Sequence, residues 1–204
     1  MYLVKTPTII TKLFPKSLIW KIPNHEKKIF LTFDDGPIPE LTPAILKYLN
    51  DYQAKATFFC VGENIKRYPE LTNDILQEGH QIGHHTYHHI KGRKTTTENY
   101  IKDIDKSAKL LESNLFRPAY GSITLNQIKK LKSDYKIIMW SILTGDFDVT
   151  LSSEQCLKNA LKAQSGDIVV FHDNLKSMQK IHDILPQFLA HYTKLGFKFS
   201  VIEQ

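Results

Sequence analysis

Short β-like runs, separated by stretches with helical periodicity, constrain this chain more than any other feature. The runs are Lys28–Phe33, Ala56–Val61, His80–Gly83, Lys136–Trp140, Asp167–Phe171 and Lys198–Ile202. Several are apolar throughout rather than alternating, which fits parallel strands covered on both faces. Between them, Thr42-Pro43 reads as an N-cap with proline at the first helical position, and Ile45, Leu46 and Leu49 line one face. A Thr95/Glu98 capping box precedes Ile101, Ile104, Ala108 and Leu111. A Ser152/Gln155 box precedes Leu157, Ala160 and Leu161, and Ile181, Leu185, Phe188 and Tyr192 mark a last helix. Strand and helix in alternation predict an α/β fold with a parallel sheet. At 204 residues, with no repeat or linker, one domain is expected.

The ends of these runs carry the chemistry. Asp34-Asp35-Gly36-Pro37 follows the first, and His84-His85-Thr86-Tyr87-His88-His89 follows the third. Asp146 follows the run ending at Trp140, and His172 closes Ile168–Phe171. In parallel α/β folds the carboxyl ends of the strands share one face, where ligands bind. Adjacent carboxylates repel, and a divalent metal removes the conflict by neutralising one and leaving the other as a base. His85 and His89 stand at i and i+4, the spacing that faces one side of a helical turn. One Asp and two His would give zinc three protein ligands and leave a fourth position for water. Taken singly, each feature has a plainer reading. Asp34–Pro37 suits a turn, His172 a satisfied core histidine, Asp146 a helix cap, and Arg117-Pro118-Ala119-Tyr120-Gly121 an ordinary loop. Their convergence on strand ends is what argues for a site.

Composition narrows the alternatives. The formal charge of +6 comes from scattered Lys and Arg without a basic block, so nucleic-acid binding is not expected. Cys60 and Cys156 lack CxxC spacing and make no disulfide framework. No signal-peptide pattern or membrane-spanning stretch is recognisable, which gives a cytoplasmic location by default. Within residues 1–20, Ile9, Ile10, Leu13, Phe14, Leu18, Ile19 and Trp20 stand among lysines. That pattern suits peripheral contact with a membrane surface, but an arm packed on the domain is the preferred expectation. The boundaries expected are an arm at 1–27 and a catalytic domain at 28–204.

Thr32–Pro37, His85–His89, Arg117–Gly121, Trp140 to Asp146, and Val170-Phe171-His172 resemble, in order, the five motifs of the polysaccharide deacetylase family. This is the NodB homology domain, also called carbohydrate esterase family 4. The resemblance runs from about residue 28 to the C-terminus and implies a distorted (β/α) barrel. It implies Asp35, His85 and His89 as metal ligands, with zinc favoured and cobalt or nickel able to substitute. Asp34 would be the general base, tethered and kept ionised by Arg117. The backbone N–H of Tyr120 would face the oxyanion. His172 would be the general acid, oriented and made more basic by Asp146. Phe147 and Val170 would line an apolar pocket for the acyl methyl, Thr86 would brace the histidine loop, and His84 and His88 would be surface or outer groups. The chain departs from the family pattern at Leu143 (usually an acid), Phe147 (usually Trp), His84 (often Asn) and Ala119 (often Pro). None of these removes a catalytic group.

The function expected is metal-dependent hydrolysis of N-acetyl groups from amino sugars in a glycan such as peptidoglycan or chitin-like oligomers. One alternative is a deformylase or amidase acting on a lipid-linked sugar or another small acyl amide. A non-catalytic carbohydrate-binding relative is the alternative from another class, but such a protein should have lost Asp34, a ligand or His172. Oligomeric state is not readable from the sequence.

Overall fold

The computed structural model describes residues 3–204. Nine strands form its sheet: β1 Leu18–Ile19, β2 Lys28–Asp34, β3 Ala56–Cys60, β4 Gln81–His84, β5 Leu115–Phe116, β6 Lys136–Ile138, β7 Ile142–Leu143, β8 Ile168–His172 and β9 Lys198–Phe199. The order is β1-β6-β5-β4-β3-β2-β8-β7, with β9 on β2, and the pairings between these strands are parallel. The sheet curls into a distorted (β/α) barrel. Only Met139-Trp140-Ser141 separates β6, which pairs with β5, from β7, which pairs with β8. One bent segment therefore carries the sheet from one flank to the other.

The amino-terminal segment fills that bend. Leu143 N–H donates to Val4 O at 2.8 Å, Thr6 N–H to Ser141 O at 2.9 Å, and Met139 N–H to Ile19 O at 2.7 Å. Beyond these bonds Ile9 and Leu13 stand exposed beside Lys12. Among the described residues no helix is long and apolar enough to cross a membrane.

Alternation along fully buried strands decides what faces the barrel interior. On β2, Ile29, Leu31 and Phe33 pack outward in the main core with Phe188 and Leu185 of the helix Met178–Lys194. Phe30, Thr32 and Asp34 take the opposite face, and Phe30 joins Phe59, Leu115, Ile138 and Ile168 inside. On β8, Val169 and Phe171 go outward, leaving Ile168, Val170 and His172 inward. The β2–β8 register sets Asp34 directly beside His172.

Local expectations are corrected in several places. Thr42 is the first residue of the helix Thr42–Asp51, not its cap. Its hydroxyl accepts from Ile38 N–H at 2.7 Å and donates to Asp173 at 2.5 Å, so tertiary partners displace the capping role. Thr96, not Thr95, caps Thr97–Ala108, because Thr95 Oγ1 donates to Lys91 O instead. The Ser152/Gln155 box is present, and a second box, Thr124/Gln127, opens a helix at Leu125–Leu131 that the sequence reading did not identify. Trp140 lies beyond β6, on the bend.

Candidate active site

Asp34 ends β2 with its carboxylate inside the barrel mouth. Arg117 Nη1 donates to its Oδ1 at 2.6 Å. Arg117 is fully buried, and its other bonds explain how a buried guanidinium is accommodated. It donates to Thr32 Oγ1 at 2.8 Å, Met139 O at 3.0 Å and Ile138 O at 3.3 Å, and stacks 4.1 Å over Phe59. Burial pulls its pKa down, and the charge of Asp34 opposes that.

His172 stands on the neighbouring strand. Its Nδ1 is 2.8 Å from Asp146 Oδ1, and its backbone N–H donates to Asp146 Oδ2 at 2.6 Å. The buried Asp146 thus fixes both ring and main chain, and Nε2 is the nitrogen left for the cavity. Burial would lower the pKa of His172. The charge and hydrogen bond of Asp146, with smaller contributions from Asp35 and Asp34, outweigh it and push the imidazole up to about 9. Phe147 packs edge-on to the ring at 4.8 Å.

Asp35, His85 and His89 bring three donor atoms within 4.8 Å of one another. Asp35 Oδ1 lies 3.0 Å from His89 Nε2 and 3.6 Å from His85 Nε2. The helical turn expected for His85–His89 is not there. Thr86 (φ 64°) and His89 (φ 53°) are left-handed, and a folded loop converges the imidazoles instead. Asp103, on the helix behind, accepts from the N–H groups of Tyr87 at 2.7 Å and His88 at 3.1 Å and also holds His88 Nδ1. Ile90 N–H donates to Thr86 Oγ1 at 3.1 Å.

The donor chemistry suits a divalent cation. His85 Nδ1 is 2.8 Å from Arg117 O, a carbonyl that can only accept, so Nδ1 carries the proton and Nε2 keeps its lone pair. Burial lowers the His85 pKa to about 4, so the ring is neutral near pH 7. Burial would raise Asp35, but the His89 hydrogen bond and the charges of His172, His85 and His89 hold it well below the usual carboxylate range. One anionic oxygen and neutral imidazole nitrogen form a borderline ligand set.

A cavity of about 730 Å³ joins these groups. Trp140, Leu143, Phe147 and Val170 line it, with Tyr120 and Lys176 also on its wall. Leu143, where the family pattern has an acid, therefore adds an apolar surface. Tyr120 sits at φ 59°, its ring 4.5 Å from His89. Gly121 follows at φ 62°, where a Cβ would come within 2.7 Å of Trp140. A Cβ on Gly36 would meet Asp173 Oδ2 at 2.1 Å, which explains the glycine after the aspartate pair.

The structure thus brings together all ten residues singled out: Asp34, Asp35, His85, His89, Arg117, Tyr120, Asp146, Phe147, Val170 and His172. His84 is a correction. It is fully buried, 3.1 Å from Ser107 Oγ and 3.2 Å from Ser113 O, and is a core residue, not a surface group. Asn64, Asp103 and Asn174 were not identified from sequence. Asn64 Nδ2 donates to Asp35 O at 2.8 Å, and Asn174 Nδ2 to Asp35 Oδ2 at 2.6 Å. Only the position of Asn174 just past a strand end hinted at a role.

Comparison with known proteins identifies relatives of this chain. A family model described as polysaccharide deacetylase matches residues 21–136. A peptidoglycan-N-acetylglucosamine deacetylase of Bacillus cereus is 35% identical over 193 residues, covering 91% of each protein. A chitooligosaccharide deacetylase of Azorhizobium caulinodans is 30% identical over 163 residues, covering 75% of this chain and 77% of its own. A solved peptidoglycan N-acetylglucosamine deacetylase superposes with a TM-score of 0.87 at 30% identity, covering 97% of this chain and 95% of its own.

Proposed function

This chain belongs to the polysaccharide deacetylase family, and from that premise we propose that it removes the N-acetyl group from amino sugars of a glycan, N-acetylglucosamine units of peptidoglycan first and chitin-like oligomers second. The observation that carries the reading is the pairing across β2 and β8. A carboxylate bound to a buried Arg and an imidazole bound to a buried Asp stand side by side at one end of a shared cavity. Groups held in opposite protonation states can act as base and acid at one pH.

Asp35, His85 and His89 would hold the divalent ion, with zinc the best fit to their O and N donors and cobalt or nickel able to replace it. When bound, the ion supplies a Lewis acid that acidifies a water and polarises the amide carbonyl. Asp34 takes the proton of the attacking water, and the Arg117 hydrogen bond keeps that carboxylate aimed. The Tyr120 N–H donates to the oxygen that gains charge as the acyl carbon becomes tetrahedral. As the C–N bond breaks, His172 Nε2 gives its proton to the departing nitrogen, yielding acetate and a free amine. Asp146 keeps that imidazole protonated beforehand. Phe147, Val170 and Leu143 offer the acyl methyl an apolar wall. Residues 28–204 would act as the catalytic domain, with 1–27 as an arm whose bonds at the bend complete the barrel.

The test is acetate release from peptidoglycan and N-acetylglucosamine oligomers by the metal-loaded protein, with apo protein and Asp34→Asn as controls. Release that needs metal and is lost in Asp34→Asn is expected. Release persisting in Asp34→Asn would overturn the assignment of the base.

A further inference from the structure

We propose that Asn174 is a positioning residue that ties down one oxygen of the Asp35 carboxylate, so that Oδ1 alone is presented to the ion. This rests on reading Asp35, His85 and His89 as ion ligands. Asn174 lies on the cavity wall two residues beyond His172. Its Nδ2 is 2.6 Å from Asp35 Oδ2, while its Oδ1 accepts from Ser177 N–H at 3.0 Å and Ser177 Oγ at 3.2 Å. A backbone N–H can only donate, so the Ser177 bond decides which end of the amide is oxygen and turns the NH₂ toward the carboxylate. Ser177 is fully buried and directly precedes the helix Met178–Lys194, which fixes the position of the anchor.

Asp35 is then gripped at two points, its carbonyl by Asn64 and its Oδ2 by Asn174. Its remaining oxygen, Oδ1, is the one that faces His89 and His85. A carboxylate free to turn can chelate through both oxygens, whereas one tied at Oδ2 offers a single donor in a fixed direction. Hydrogen bonds that orient metal ligands contribute on the order of 10–100-fold in affinity.

The test uses the full chain with Zn²⁺ and Co²⁺ alone as probes, in Asn174→Ala, the near-isosteric Asn174→Leu and Ser177→Ala. Dissociation constants come from chelator competition, the coordination signature from visible absorption of the cobalt form, and stability from thermal unfolding of the apo protein. Both Asn174 variants should bind about 10-fold more weakly. Their cobalt absorptivity should fall as the released carboxylate adds its second oxygen, while apo stability holds. Ser177→Ala, which leaves the N–H bond intact, should shift in the same direction by less. Unchanged affinity and spectrum in both Asn174 variants would overturn the proposal. So would weaker binding that merely follows a loss of apo stability with the spectrum unaltered. Asp35→Ala separates the two readings. Undiminished binding there removes the ion site itself, whereas lost binding there with unaffected Asn174 variants removes only the positioning role.

Discussion

Replacing Asp146 with Asn tests the acid half of the centre with little change in shape. In the native chain the His172 imidazole titrates at about 9, against an ordinary 6.5. At about 1.4 kcal/mol per pKa unit, that gap corresponds to roughly 3 kcal/mol favouring the protonated ring in the folded state. Because the folded pKa is raised, this stabilisation is fully present below pH 6.5 and is lost as pH rises through about 9. Asp146→Asn removes the largest upward influence and leaves burial, which acts downward, opposed only by the smaller contributions of Asp35 and Asp34. The His172 pKa should therefore fall well below 9 in the variant. The assay is imidazole NMR of the apo protein against pH, alongside urea unfolding at pH 6 and pH 10. The stability difference between native and variant should be larger at pH 6 by up to about 3 kcal/mol. Turnover near neutral pH should fall by about 10²-fold or more, the usual contribution of a general acid, and the alkaline limb should move to lower pH. If His172 still titrates near 9 in the variant, Asp146 is not what holds its proton.

Arg117→Met should cost about 3–5 kcal/mol, because it leaves the Asp34 carboxylate buried without its cation, and denaturant unfolding of the apo protein would measure it. Asp34→Asn should abolish turnover while keeping full metal stoichiometry by elemental analysis, since Asp34 is not among the three converging ligands. His85→Ala should lose metal, and stoichiometric zinc in that variant would refute the ligand set.

Much of the centre was legible because its residues sit at the ends of apolar runs, and parallel strands collect such ends on one face. The register of β2 with β8, which makes Asp34 and His172 neighbours, was not legible. Runs that are apolar on both faces carry no period from which to read inward and outward sides. The His85–His89 spacing suggested a helical turn, but the left-handed Thr86 and His89, with Asp103 gripping the loop from a distant helix, made a different backbone bring the same rings together. Thr42 looked like a cap until Asp173, far along the chain, supplied a partner. His84 looked like part of the polar cluster, yet period-two alternation on β4 points it away into the core.

By itself, the sequence determined the α/β class, the family motifs and the identity of the ionisable groups, because apolar periodicity and residue chemistry are local properties. The tertiary structure alone decided which carboxylate meets the buried Arg, which imidazole is neutral and which is protonated, and that Asn174 faces Asp35. Those outcomes depend on burial and on distances between segments remote in the chain, and both exist only once the barrel has closed.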